Sequence, residues 1–303
     1  MIGTSSYAKA LWPGVNTWFG MSYGEHPEEW REIFTSYSSD KNFEEDVGAY
    51  GFPLAVVKPE GDSISFADAA QGFVKRYVHI TYALGFKISR EAIEDNLYMQ
   101  LTEQRTKALG LSMRQTREVL CANVINRAFN SSYTGADGKE LCSTAHLKMK
   151  GGTYSNKMAT DADLSEASLE QSIIDIMGAV NDSNLKIALM PRKLLIPKEL
   201  VFEAERILKS ALTPSTALNA INALKSKGVL PEGYAVNHYL TDANAFFILT
   251  NCPEGLKRFE KRALAVENDT PDFATENMSF KASFRESLGW TDPRCIYGSQ
   301  GSN

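Results

Sequence analysis

The feature that most limits what this chain can fold into is a run of strict alternation that leads directly into a proline-free helical stretch. From Phe73 to Ile88 one parity carries Val74, Arg76, Val78, Ile80, Tyr82, Leu84, Phe86 and Ile88, and the other Lys75, Tyr77, His79, Thr81, Ala83, Gly85 and Lys87. A period of two predicts a half-buried β-strand. At roughly 3.3 Å per residue such a strand runs for about 53 Å, far beyond the usual length, so it is expected to leave the body of the protein. Upstream, Leu54-Ala55-Val56-Val57-Lys58, the break Pro59-Glu60-Gly61-Asp62 and Ser63-Ile64-Ser65-Phe66 complete a hairpin over Phe52–Ile88, with a second Gly-containing break around Asp68–Gly72.

The helical stretch is equally long. Ser89 is placed to cap a helix starting at Arg90 or Glu91, with Glu91, Glu94 and Asp95 at the positive end of its dipole. Apolar residues then recur at helical spacing from Ile93 through Leu97, Leu101, Leu109, Met113, Leu120 and Val124 to Phe129. No proline falls between Gln71 and Met190, and Gly110 is the one point where a bend is expected. A helix over Glu91–Phe129 is about 58 Å long. A compact chain of 303 residues is only about 50 Å across, so this helix would span the whole molecule.

Around these two elements the chain divides by texture. Met1–Tyr50 sets Trp12, Trp18, Phe19 and Trp30 irregularly between Pro and Gly breakers and reads as an extended arm. Asn130–Asn156 is turn-rich and reads as a loop or small hairpin. A further amphipathic helix starts at Asp163 or Ser165 and ends near Asn181–Asn184. From Leu185 short strands and helices alternate as in an α/β lobe: strands at Lys186–Met190, Leu194–Ile196, Ala235–Leu240 and Ala245–Thr250, a helix opened by Pro197, and a helical piece around Leu218, Ile221 and Leu224. The tail alternates again at Met278, Phe280, Ala282 and Phe284, turns at Gly289–Pro293 and ends in a strand at Cys295–Tyr297.

Composition removes several function classes. The 37 acidic and 32 basic residues leave a formal charge of −5 with both signs interspersed, a field that repels nucleic acid and anionic lipid as primary ligands. No run of about 18 apolar residues occurs, and Met1–Gly20 lacks the apolar core of a signal peptide, so neither a membrane span nor export by that route is expected. Cys121, Cys142, Cys252 and Cys295 form no C-x-x-C pair and read as reduced structural thiols of an intracellular protein.

Nucleotide-binding glycine loops, zinc-protease, serine-hydrolase and calcium-loop motifs are all absent from the sequence. His26, His79, His146 and His238 stand apart from one another and from the cysteines. Glu28-Glu29 and Glu44-Glu45-Asp46 read as solvated faces, while Lys75-Arg76, Lys257-Arg258 and Lys261-Arg262 read as solvated or as ion-paired to a neighbouring subunit. No catalytic, cofactor-binding or metal-ligating residue is assigned, and the chain is not expected to be an enzyme. A hydrolase with a dispersed Ser/His/Asp site is the reading from another class. It requires His146 or His238 to meet a carboxylate and a nucleophile in one pocket.

The order of parts, together with Ala136-Asp137-Gly138-Lys139-Glu140-Leu141, Ala145-His146, Gly151–Asn156, Leu189–Pro197 and the ending Phe284-Arg285 through Gly289-Trp290-Thr291-Asp292-Pro293-Arg294, resembles the major capsid proteins of tailed bacteriophages with the Hong Kong 97-type fold. The resemblance covers nearly the whole chain and implies an α+β fold. Its expected parts are an N-terminal arm (1–50), an extended E-loop hairpin (51–88), a P-domain built on the long spine helix (89–184), an α/β A-domain (185–270) and returning P-domain strands with the C-terminus (271–303). It implies hexamers and pentamers tiling an icosahedral head around packaged double-stranded DNA, without sequence-specific DNA contacts, membrane or cofactor.

A separate scaffolding protein, or earlier processing, and a portal are expected as partners, with assembly in the host cytoplasm and residence in the virion. Contacts between subunits are expected at Lys58, Glu60 and Asp62 in the hairpin turn, Lys75, Arg76 and Tyr77 on its strand, and Trp18 and Trp30 in the arm. An encapsulin-like nanocompartment shell is the alternative within the same fold.

Overall fold

The computed structural model of the chain describes residues 5–48, 52–66, 71–89, 91, 98–212, 221–269 and 277–302. In chain order it has helix α1 (Ser5–Tyr23), a 3-10 turn at Glu29–Glu32, and strands β1 (Thr35–Ser38), β2 (Phe43–Val47), β3 (Val74–Val78) and β4 (Ile80–Ile88). The long helix α2 (Tyr98–Asn126), strands β5 (His146–Leu147) and β6 (Thr153–Tyr154), and helix α3 (Glu166–Met177) follow. Then come β7 (Pro191–Ile196), α4 (Val201–Lys209), α5 (Ala223–Lys227), β8 (Tyr234–Val236), β9 (Phe246–Thr250), β10 (Leu256–Asn268), β11 (Met278–Trp290) and β12 (Ile296–Ser299).

The alternating tail residues build the longest sheet, of order β1-β10-β11-β4. Met278, Phe280, Ala282 and Phe284 of β11 all turn into the core. Phe280 faces Phe86 and Phe284 faces Tyr82 across the antiparallel β11–β4 ladder, with ring centroids 5.2 and 5.3 Å apart, the cross-strand aromatic pairs that fix register. Helix α2 lies on this sheet through Leu109 and Met113. The second sheet, β12-β9-β7-β8, is covered on both faces. Leu169 and Ile173 of α3, Ala204 and Ile207 of α4 and Leu224 of α5 pack on one side. Cys121, Ile125 and Ala128 at the end of α2 pack on the other, with Trp30 and Phe34. That is why β7 and β9 read as continuous apolar runs. The capping box between Ser165 and Ser168 starts α3.

Several expectations are corrected. The arm is not extended. Val15, Trp18, Phe19 and Ser22 recur at helical spacing in α1, Val15 and Phe19 are buried, and Ser22 Oγ donates to Lys107 O at 2.9 Å. Packing against α2 outweighs the breakers Pro13 and Gly14. Gly110 is not a bend but the point of close approach, since a Cβ there would stand 3.0 Å from Phe19 O.

The single long strand is two strands in two sheets. β3 pairs with β2, β4 pairs with β11, and the break falls at His79, which is buried between Ser39 Oγ and Ser287 Oγ at 3.1 Å each. Up to His79 the odd positions turn inward; beyond it Tyr82, Phe86 and Ile88 do. Residues 52–66, expected to complete a hairpin, form no strand; a turn closes with Asp62 N donating to Pro59 O. The described part of the long helix has 29 residues, about 44 Å at 1.5 Å per residue. Arg90, where the helix was expected to start, positions 92–97 of the expected helix, Leu218, and most of the break at 68–72 lie outside the described residues.

Strand pairing also crosses the expected partition. Strand β10, unforeseen, leaves the 185–270 lobe to pair with β1 and β11. Strand β12, expected with the returning strands, pairs with β9 inside the lobe sheet.

Candidate interaction surface

The two histidines that a hydrolase site would need are occupied structurally. His146 is fully buried, with Nδ1 2.6 Å from Asp137 Oδ2 and Nε2 3.0 Å from Asn156 Oδ1. The second nitrogen thus meets an amide oxygen where a hydrolase would need its nucleophile. Asn156 is held in that orientation because its Nδ2 donates to the carbonyls of Leu141, Pro293 and Ile296 while Oδ1 also accepts from Ser143 N. Burial alone would raise the Asp137 carboxyl, but the hydrogen bond and charge of His146 outweigh it and hold the pKa below 3.8. His238 meets Glu29, 2.7 Å away. Among the described residues no group of three His, Cys, Asp or Glu side chains is placed to hold a metal ion.

The unusual surface is the β2–β3 ribbon. Its register sets Phe43 opposite Val78, Glu45 opposite Arg76 and Val47 opposite Val74, and all of these apolar side chains face outward with Ile80. Val78 is 61% exposed and Ile80 55%. The opposite face is anchored: Tyr77 is buried with its hydroxyl 2.7 Å from Thr291 Oγ1, and Asp46 binds Lys257 Nζ at 2.6 Å. Burial pushes the Tyr77 phenol well above its ordinary value. The ribbon is therefore fixed on one side and presents an apolar strip on the other, where covering each Val, Ile or Phe is worth up to about 1.5–3 kcal/mol.

Beyond the ribbon the chain runs out into residues 52–66. Phe52, Leu54, Val56, Val57, Ile64 and Phe66 are all exposed there, Val57 and Phe66 to 92%. The neck is narrow: a Cβ on Gly72 would run into Gly48 O, and Gly48 N donates to Phe73 O at 2.9 Å. Beside the ribbon a groove of about 520 Å³ opens between Val78, Ile80 and Tyr82 on one wall and Leu120, Val124 and Trp290 on the other.

The residues expected to make contacts between subunits are distributed unevenly. Lys58, Glu60 and Asp62 are exposed on the 52–66 segment. Arg76 is exposed, ion-paired to Glu45 and stacked over Phe43 at 4.4 Å. Lys75 is half-buried, donates to Thr134 O at 3.0 Å, and its pKa is lowered by burial. Trp18 packs against Val15, Ile88 and Phe280. Two are corrected outright: Tyr77 is sealed by its own chain, and Trp30, 1% exposed, lies against the guanidinium groups of Arg31 and Arg258, each 4.6 Å from its ring. The basic pair Lys257-Arg258 is likewise spent internally, on Asp46, Glu254, Glu260 and Glu286. Sequence reading missed Phe43 and Val47 as strip residues; their signal is the spacing Phe43, Glu45, Val47, too short to stand out alone.

A family model described as phage capsid protein matches residues 74–299. No curated protein matches the sequence. Among solved structures, the virus-like particle from Pyrococcus furiosus superposes with a TM-score of 0.51 at 14% identity, over 94% of this chain and 97% of that one. A chain of Microbacterium phage Oxtober96 gives 0.55 at 9% identity, over 91% and 92%. The holo-SrpI encapsulin complex from Synechococcus elongatus gives 0.52 at 10% identity, over 91% and 88%. At such identities the structures are alike in fold.

Proposed function

The chain belongs to the phage capsid protein family and is a structural shell protein with the α+β fold of tailed-phage capsids, and we propose that its outward apolar strip and the 52–66 segment are what join one subunit to the next. The carrying observation is that the β2–β3 ribbon is locked to its own body on one face while Phe43, Val47, Val74, Val78 and Ile80 stand in water on the other. An apolar strip of that kind is covered by a neighbour or becomes an aggregation hazard. Head-to-tail coverage, each subunit reaching over the next, closes into rings, and hexamers and pentamers of one chain then tile an icosahedral head.

In this reading residues 52–66 are the tip of the E-loop, α2 is the spine of the P-domain, and the β12-β9-β7-β8 lobe is the A-domain. Lys58, Glu60, Asp62 and Arg76 contribute polar contacts at the rim. A separate scaffolding protein and a portal complete the head during assembly in the host cytoplasm. The net charge of −5 suits an enclosure for double-stranded DNA that makes no sequence-specific contact with it. Membership in the family, rather than the shared fold, favours a virion over a cellular nanocompartment, since both kinds of shell adopt this fold.

The test is to express the chain with and without its candidate scaffold and examine the product by electron microscopy. Shells, or isolated rings of five and six subunits, are expected. A chain that stays a single subunit under both conditions overturns the reading.

A further inference from the structure

Three kinds of group in the groove beside the ribbon lack a counterpart. Its walls, Val78, Ile80 and Tyr82 facing Leu120 and Val124, are apolar and open to water. Two polar side chains that line it are more than nine-tenths buried and only partly satisfied. Glu286 is 2% exposed; its Oε2 accepts from Arg258 at 2.7 Å, whereas Oε1 meets no donor. Trp290 is 7% exposed, and its indole Nε1 donates to no acceptor. A buried donor or acceptor left unpaired costs the full desolvation of that group, so an occupant that supplies the missing partner gains by it. At the rim, Lys75 donates to Thr134 O and lies over the Trp290 ring, and Arg127 lies 4.3 Å over the Tyr133 ring. Among the described residues neither cation is paired to a carboxylate.

Apolar walls, one unmet acceptor, one unmet donor and a cationic rim together fit an extended peptide that carries apolar side chains and carboxylates. The chain itself has such a segment. Past the turn that closes between Pro59 and Asp62, Asp62, Ile64 and Phe66 share one parity and Ser63 and Ser65 the other. In an extended conformation one face therefore presents a carboxylate followed by two apolar side chains, with the Glu60 carboxylate in the adjoining turn. Residues 60–66 are all exposed. Their backbone and serine hydroxyls provide both donors and acceptors.

We propose that residues 60–66 of one copy lie in this groove on the next copy, with Ile64 and Phe66 between the apolar walls and Glu60 and Asp62 beside Lys75 and Arg127. The inference rests on the shell reading above and sharpens it, because it makes the segment and the outward strip two halves of one contact. A groove of about 520 Å³ is within the range that ligand-sized bodies fill. Segment and groove are different surfaces of each copy, so the contact runs head to tail and repeats from copy to copy.

Crosslinking between two full-length variants tests this. Ser65→Cys on the segment and Ser132→Cys in the groove are near-isosteric changes at exposed positions. The two are co-assembled in equal amounts and treated with a short bis-maleimide. A product of doubled mass on a denaturing gel is expected from the mixture and from neither variant alone. It is expected to vanish when Ser226→Cys, on helix α5 of the lobe, replaces Ser132→Cys. Ile64→Asp with Phe66→Asp, both at exposed positions where the fold does not depend on them, is expected to lower the product more than tenfold when added to the Ser65→Cys copy. An undiminished product there overturns the proposal. Particles that form without the product overturn the groove assignment and leave the shell reading standing, whereas a chain that forms no particles overturns both. A product confined to single chains carrying both cysteines, or one joining Ser132→Cys to a copurifying protein, overturns it as well, since the groove then holds its own segment or another partner.

Discussion

Strand β9 and the β2–β3 ribbon are made of the same kinds of residue and meet opposite fates. In β9, Phe246, Phe247 and Ile248 are all buried, because α3 and α4 cover one face of the lobe sheet and the end of α2 covers the other. In the ribbon, Phe43, Val47, Val74 and Val78 are left in water, because only the face carrying Tyr77 has a body to rest on. One region completes its packing within the chain; the other, in the function proposed above, completes it with a second molecule. Apolar composition therefore does not locate the core of a subunit that is itself part of a larger shell.

If that contrast holds, substitutions in the two regions act on different measurements. Phe246→Ala is expected to destabilise the isolated chain by about 3–5 kcal/mol, read by urea unfolding. Asn156→Ala, which abandons three buried carbonyls, the Ser143 amide and His146, is expected to cost about 2–3 kcal/mol in the same assay.

Asp137→Asn acts through pH. Because the Asp137 pKa lies below its ordinary 3.8, the stability it contributes is complete above that value and is lost as pH falls through the lowered one. The variant is expected to be less stable at pH 5 and to show a flatter acid limb in thermal unfolding against pH. Val78→Asp has the smallest effect on the fold, about 1 kcal/mol or less. A loss as large as that of Phe246→Ala would erase the distinction between the two regions.

How much of this was legible in the sequence depended on whether an element's partners are local. The spacing of Met278, Phe280, Ala282 and Phe284 announces β11, and the apolar repeat from Leu101 to Val124 announces α2, since each pattern is complete within its own segment. Strand β10 was hidden because Lys257, Arg258, Lys261 and Arg262 look like a solvated basic patch. Their partners, among them Asp46, Glu286 and the carbonyl of Asp40, come from far along the chain. The helical state of α1 was hidden by Pro13 and Gly14, and the support of α2 that overrides them is tertiary. On the proposed interaction surface, Lys58, Glu60 and Asp62 were readable as lying at a turn. The burial of Tyr77 and Trp30 was not, because Thr291 and Arg258 reach them only in the folded chain. The reversal of the inward parity at His79 left no mark on the alternation itself.

The most direct test of the outward strip is sedimentation velocity of Val78→Asp with Ile80→Asp beside the wild type, under conditions where the wild type forms particles. The wild type is predicted to sediment as shells or rings, and the variant as a folded single subunit with unchanged circular dichroism. Variant particles indistinguishable from those of the wild type would contradict the account.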